Sequence, residues 1–154
     1  MVKIEIQDNQ AVLKLKQIAA ALKQPRQLYG VLGEELKKIH RQRFDEQKSP
    51  EGKAWEPLSA RYQARKHRNK NRILMLRGYL RNQLAYNYDD QSVEFGSARV
   101  YARIHQFGSN KNSGRGSGIP ARPWLGLNKN NMDTLETKAT DLLQAQIDKI
   151  IDKN

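Results

Sequence analysis

Three histidines are the side chains of this sequence that most readily bind a metal ion or transfer a proton at neutral pH. His40, His67 and His105 are scattered along the chain, and none belongs to a pair with the helical spacing of the H-E-x-x-H metal motif. The chain has no cysteine, which excludes disulfide frameworks, cysteine-ligated zinc or iron–sulfur sites and a cysteine nucleophile. We therefore expect no metal ion and no cofactor.

A catalytic nucleophile or carboxylate pair is also missing from the sequence pattern. Ser117 lies in the glycine-rich segment 114–118 but lacks the glycine two residues earlier that a nucleophile elbow requires. The glycines of that segment do not have the G-x-G-x-x-G spacing. The carboxylate pairs at 34–35 and 89–90 are adjacent in sequence, so on a helix they would not share a face, and in a hairpin they are ordinary turn residues. The sequence predicts no catalytic residue and no enzymatic activity.

Positive charge is the dominant property of the composition. The 154 residues include 28 Lys and Arg against 16 Asp and Glu, a formal net charge of +12. The excess is sharpest from Arg61 to Arg77, a segment without Asp or Glu in which Tyr62 is the only aromatic residue. Such a segment can neutralise nucleic-acid phosphates without reading sequence, or it can face solvent or an acidic protein, and these interpretations stay open. The predicted contact residues are Arg61, Arg65, Lys66, Arg68, Lys70 and Arg72.

The first half of the chain predicts one strand followed by a helix pair. Val2, Ile4 and Ile6 alternate with polar residues, as in a strand with one buried face. Apolar residues then recur at spacings of three and four, which predicts a helix that ends before Pro25 and a second helix that begins there. The stripe of the second helix consists of Leu28, Val31, Leu32, Leu36, Ile39 and Phe44.

The second half predicts a hairpin and a long final helix. Apolar spacing resumes from Ile73 and is interrupted by Gly78. Alternation from Leu84 to Phe95 then brackets an Asp-Asp turn, which predicts a hairpin, and a glycine-rich loop at 109–118 should be flexible. A helix capped near Asn131 follows. We predict an α+β fold in which the N-terminal helix pair and the C-terminal helix pack on a small, mainly antiparallel sheet, all within one domain, 1–154. The alternating start has neither a signal-peptide core nor a membrane span.

The aromatic residues outside the helices lie beside prolines and glycines, as is typical of structural anchors. A tyrosine or histidine on an apolar face is more often a core or interface residue than a catalyst. The predicted structural anchors are Trp55, Gly78, Gly108, Pro120 and Pro123. The predicted contacts with another subunit or partner are Tyr101, His105, Phe107, Arg122 and Trp124.

Several motifs together resemble the phage virion morphogenesis family, which includes Mu G-type and tail-completion S-type proteins. The resemblance is carried by YARIHQFG (101–108), a glycine-rich insert and IPARPWLG (119–126), and by Gly78-Tyr79-Leu80-Arg81 where the family has T-G-x-L-R-x-S. The chain departs from the family pattern at Arg77, Gln83 and Trp124. The resemblance covers nearly the whole chain.

The resemblance implies a structural virion protein that completes the tail or joins head to tail and has no enzymatic activity. It also implies a homo-oligomeric ring whose partners are its own copies, the tail tube and the head connector or neck proteins. We expect the chain in the host cytoplasm during assembly and then in the virion. Non-specific DNA contact stays open, and the alternative function is a basic nucleic-acid-binding protein of packaging or replication. A nuclease is a third alternative, and it would need a carboxylate cluster.

Overall fold

The structure is a computed structural model that describes residues 10–112 and 118–153. It mixes helices with one small antiparallel hairpin, so the predicted α+β class is confirmed. The predicted strand at Val2–Ile6 and residues 113–117 of the predicted loop lie outside the described residues. The elements are α1 (Gln10–Ala21), α2 (Pro25–Glu46), α3 (Ala60–Arg65), α4 (Tyr79–Asn82), β1 (Ala85–Tyr88), β2 (Val93–Gly96), α5 (Ala102–Phe107) and α6 (Lys129–Ile151).

The chain divides into two compact units, which are described separately. Within the described residues, unit 1 contains 37–85, 96–112 and 118–126, and unit 2 contains 10–36, 86–95 and 127–153. Helix α2 therefore contributes its first part to unit 2 and its second part to unit 1. That the chain forms one domain stays a prediction.

Unit 2 is built on helix packing. Helix α1 packs against α6, and Lys14 Nζ lies 2.5 Å from Glu136 Oε1 between them. Helix α6 begins at a capping box in which the Asn128 side chain accepts from the Asn131 backbone and the Asn131 side chain accepts from the Asn128 backbone. The N-cap is thus three residues earlier than the sequence predicted. The buried apolar residues of this unit are Ile18, Ala19, Leu22, Leu28, Leu32, Leu36, Phe95, Met132, Leu135 and Ala139.

The predicted hairpin is present and lies against the first part of α2. Asp89 Oδ1 accepts from the backbone nitrogens of Gln91 at 2.7 Å and Ser92 at 2.8 Å, which closes the turn. A Cβ atom on Gly33 would lie 2.2 Å from Cδ2 of Tyr86, so only glycine lets the helix approach the ring so closely. The Tyr86 hydroxyl donates to Glu34 Oε1 at 2.6 Å, which fixes the ring over this position.

Unit 1 has an aromatic core around Phe44. The Phe44 ring meets Trp55 edge-on at 5.5 Å and Trp124 at 5.9 Å, and all three side chains are buried. Apolar spacing resumes at Ile73, but Leu74 and Gly78 both have positive φ and helix α4 begins only at Tyr79. Apolar spacing indicated burial here but could not show that the backbone turns.

None of the helices in the described ranges combines the length and the apolar composition that a membrane-spanning segment requires.

Candidate interaction site

Unit 1 contains an open cavity of about 860 Å³, which we call the basic groove. All of its lining residues belong to unit 1. Leucines, Met75, Ile119 and Pro120 make most of the lining apolar, while three cations and one carboxylate reach it. The lining consists of residues 56–59, 62, 66, 74–80, 101, 105, 118–120 and 122.

One wall of the basic groove is formed by α3 and the loop that follows it. The hydroxyl of Ser59 accepts from the backbone nitrogen of Tyr62 at 3.2 Å and so caps the N-terminus of α3. Lys66 is buried, and its ammonium donates to the carbonyl of Arg72. It thereby ties together the two ends of residues 66–72, which we call the basic loop. Burial lowers the pKa of Lys66. This lysine therefore has a structural role within the wall.

Another part of the lining is held in place by Arg122. Its Nε donates to the carbonyl of Glu56 at 2.7 Å and its Nη2 donates to the carbonyl of Pro57 at 3.0 Å. Nearby, Trp55 Nε1 donates to the carbonyl of Pro123 at 2.7 Å. Burial is the main reason that the pKa of Arg122 is lowered. These bonds hold the 119–126 segment against residues 55–57, as expected of paired polar groups in a buried site.

His105 lines the basic groove and has one ring nitrogen without a hydrogen-bond partner among the described residues. Its Nδ1 is buried and has no hydrogen-bond partner among the described residues, although the Tyr101 ring lies edge-on at 5.9 Å. Burial, with a smaller contribution from the charge of Arg122, lowers the pKa of His105. The imidazole is therefore held neutral, since a proton on Nδ1 would find no acceptor.

The other two histidines do not join His105. His40 is buried in unit 1, where its Nε2 accepts from the backbone nitrogen of Gly126 at 3.2 Å. His67 is exposed in the basic loop. Across the described ranges, no group of three or more His, Asp or Glu side chains could hold a metal ion.

The five predicted partner contacts fall into three environments. Tyr101, His105 and Arg122 line the basic groove, whereas Phe107 lies outside it with 60% of its surface exposed. Trp124 is completely buried, and its Nε1 donates to the carbonyl of Ala102 at 3.1 Å. Its side chain belongs to the core of unit 1 and is not on a surface that a partner could reach.

The predicted anchors occupy positions that constrain the backbone. Gly108 has a φ of 73°, and a Cβ there would lie 2.8 Å from the backbone nitrogen of Ala121. Gly78 has a φ of 76° immediately before α4. Pro120 lines the basic groove, and Pro123 supplies the carbonyl that Trp55 binds.

The six basic contact residues are not equivalent. Arg72 forms an ion pair with Asp45 at 3.2 Å, and Lys66 is buried. The remaining four are exposed on or beside α3: Arg61, Arg65, Arg68 and Lys70.

Two buried polar residues that were not predicted from the sequence fasten the 119–126 segment. The Gln106 side chain accepts from the backbone nitrogens of Trp124 and Leu125 and donates to the Leu125 carbonyl, and so joins α5 to the 119–126 segment. Arg43 donates to backbone carbonyls near Trp124. The charge of Arg43 favours a solvent-exposed position on its helix. Only its position beside the buried Phe44 could have indicated otherwise.

Comparison with known proteins gives a consistent result. The family model described as "Phage virion morphogenesis family" matches residues 6–144. The chain is 30% identical over 132 residues, 83% of each chain, to "Mu-like prophage FluMu G protein 1" of Haemophilus influenzae. It is 36% identical over 93 residues to "Putative capsid assembly protein G" of Escherichia phage Mu, covering 57% of this chain and 60% of that protein. No solved structure matches the chain.

Proposed function

Because this chain belongs to the phage virion morphogenesis family, we propose that it is a structural subunit that completes the phage tail or joins the tail to the head. The family match is the observation that carries this proposal, since it extends over residues 6–144. The coarser conclusion, a role in phage virion assembly, follows from membership itself.

The proposal includes self-association into a ring at the tail end or neck and no enzymatic activity. The apolar lining of the basic groove supports it, because large concave apolar surfaces commonly mark binding sites. Its partners would be other copies of the chain, the tail tube and the head connector. The chain would reside in the host cytoplasm during assembly and afterwards in the virion.

Removal of this chain from a phage or an inducible prophage tests the assembly role. Electron microscopy of the lysate should show heads and tails that accumulate unjoined, or tails of abnormal length, and the wild-type chain supplied from a plasmid should restore the titre. A normal yield of infectious particles without the chain would contradict the proposal.

Light scattering on the purified chain tests the ring. We expect a discrete oligomer whose mass is the same with and without a short DNA duplex. A monomer at every concentration would contradict self-association of the free chain.

A nucleic-acid-binding function in packaging or replication is the second candidate, and the exposed cations of α3 and its loop favour it. Binding by phosphate neutralisation would weaken steeply as salt is raised. Replacement of Arg61, Arg65, Arg68 and Lys70 by glutamine would remove the salt-dependent affinity while Lys66 and Arg72 keep the loop folded. A duplex that does not bind at low salt would eliminate this candidate.

A further inference from the structure

The basic groove has the chemistry of a site for an acidic, apolar protein segment. Lys66, Arg77 and Arg122 line it, and Glu56 is the only carboxylate in the described lining. None of the three cations forms an ion pair with a described carboxylate. Leucine and methionine side chains from 74–76 line the same groove, so an occupant must offer apolar groups as well as negative charge.

The end of α6 offers that combination. In an otherwise basic chain, residues 141–152 contain three aspartates and one lysine. Three isoleucines in this segment remain exposed: Ile147 at 41%, Ile150 at 44% and Ile151 at 64%. Their spacing of three and four residues places them on one face of the helix, with Asp148 one turn from Ile151 on the flank.

We propose that the end of α6 from one copy of this chain docks in the basic groove of a second copy. The isoleucines would cover the apolar lining and the aspartates would lie near the cations that line it. The inference rests on the proposed self-association and names the two surfaces that produce it. Because those surfaces differ, the contact is heterologous, and repetition of a heterologous contact generates a ring when the rotation closes.

Charge and apolarity together favour this occupant over nucleic acid. A phosphate backbone could pair with Lys66, Arg77 and Arg122 but would leave the leucine and methionine lining without an apolar partner. Aromatic residues are the usual platforms for unstacked bases, and the three tyrosines of the lining, Tyr62, Tyr79 and Tyr101, are outnumbered by aliphatic residues. The exposed isoleucines of α6 would also stay uncovered.

The absence of cysteine from the chain permits a direct test by disulfide crosslinking. One single-cysteine variant, Tyr62→Cys, places a thiol in the groove, and another, Ile150→Cys, places one on the end of α6. Mixed at micromolar concentration with the oxidant diamide, the two chains should form a heterodimeric crosslink about tenfold or more faster than a control pair, because docking raises the local thiol concentration. The control pair is Val100→Cys with Ile150→Cys, since Val100 is 91% exposed and does not line the groove.

A crosslinking rate equal to that of the control pair would overturn the inference. If the cysteine-free parent is nevertheless a discrete oligomer by light scattering, the proposed function stands and only these two surfaces are wrong. If the cysteine-free parent is also a monomer, the proposed self-association of the free chain is wrong as well as the proposed docking of α6. Association that appears only with a DNA duplex would overturn the inference in favour of nucleic acid.

A second variant keeps the test independent of cysteine geometry. Ile150→Ser with Ile151→Ser should weaken self-association at least about tenfold while leaving the melting temperature unchanged, because both side chains are already exposed. Val100→Ser is the matched control and should associate like the parent. Unchanged association of the double variant would contradict the proposal.

Discussion

Arg43 Nη1 donates to the backbone carbonyl of Trp124 at 3.0 Å and to that of Gly126 at 2.6 Å, so one buried cation joins the end of α2 to the segment that carries the second tryptophan. Burial lowers the pKa of Arg43 to about 10, against the opposing effect of Glu51 and Glu46. The guanidinium stays charged at neutral pH and makes stronger hydrogen bonds than a neutral donor would.

Arg43→Met should therefore destabilise the protein. The methionine side chain fills nearly the same space as the aliphatic part of the arginine, but two backbone carbonyls lose a charged donor. This loss should lower the free energy of unfolding by about 2–3 kcal/mol. Urea denaturation measures this loss. Lys38→Met on the exposed face of the same helix is the matched control and should change stability little. Equal stability of the two variants would show that the Arg43 bonds do not contribute.

Trp55→Ala should cost roughly 3–5 kcal/mol, because the indole is only 4% exposed and its removal leaves a cavity beside Phe44. Trp55→Phe keeps most of the packing and loses chiefly the bond to the Pro123 carbonyl, so its loss should be clearly smaller. Thermal and urea unfolding measure both variants. An unchanged melting temperature for Trp55→Ala would contradict the structural role.

Elements with regular apolar spacing could be predicted from the sequence, and those fixed by backbone geometry could not. The stripe from Leu28 to Phe44 and the alternation around Asp89 gave α2 and the hairpin correctly, because one periodicity extends through each. The turn at Leu74 was not predicted, because the left-handed backbone conformation of a leucine does not change the hydropathy pattern of the sequence.

The candidate site was predicted only in part, for a related reason. Tyr101, His105 and Arg122 were chosen from the sequence, and all three line the basic groove. Residues 74–76 were not chosen, because their participation depends on contacts with segments distant in sequence. Trp124 was assigned to a partner contact although it is buried, since composition does not distinguish a core tryptophan from an interface tryptophan.

Two glycines on α2 should respond in opposite directions to the same substitution. Alanine is better than glycine in a helix by about 1 kcal/mol, but at Gly33 its Cβ would lie 2.2 Å from the Tyr86 ring. Displacement of that ring breaks its bond to Glu34, so Gly33→Ala should destabilise by about 1–3 kcal/mol.

Gly30→Ala is the matched control. Its Cβ would lie 3.1 Å from Cε2 of Tyr88, a half-exposed ring that can shift, and stability should stay the same or rise by up to about 1 kcal/mol. The melting temperatures of Gly33→Ala and Gly30→Ala, each compared with that of the parent, test this prediction. A destabilised Gly30→Ala with an unaffected Gly33→Ala would mean that the hairpin does not lie on α2 as described.

His105 should make stability depend on pH below its ordinary pKa of 6.5. The folded pKa is lowered, so the unfolded chain takes up a proton there more readily than the folded chain does. The stabilisation is fully present above pH 6.5 and is lost as pH falls from 6.5 towards the folded pKa. His105→Gln should flatten the dependence of the unfolding free energy on pH in that range, and proton NMR should give the imidazole a midpoint below 6.5. A midpoint at or above 6.5 would contradict the buried, neutral imidazole.

Two lysines of the basic loop should separate structural from surface charge. Lys66 is buried and donates to the Arg72 carbonyl, so Lys66→Met leaves that carbonyl without its donor and should cost about 1–3 kcal/mol. Lys70 is exposed, and Lys70→Met should change stability by less than about 0.5 kcal/mol. Both substitutions remove one positive charge, so a difference in urea midpoint reports the hydrogen bond and not net charge. Equal midpoints would mean that Lys66 is surface charge like its neighbours and that the loop is closed by the remaining bonds from Gln63 and Asn69.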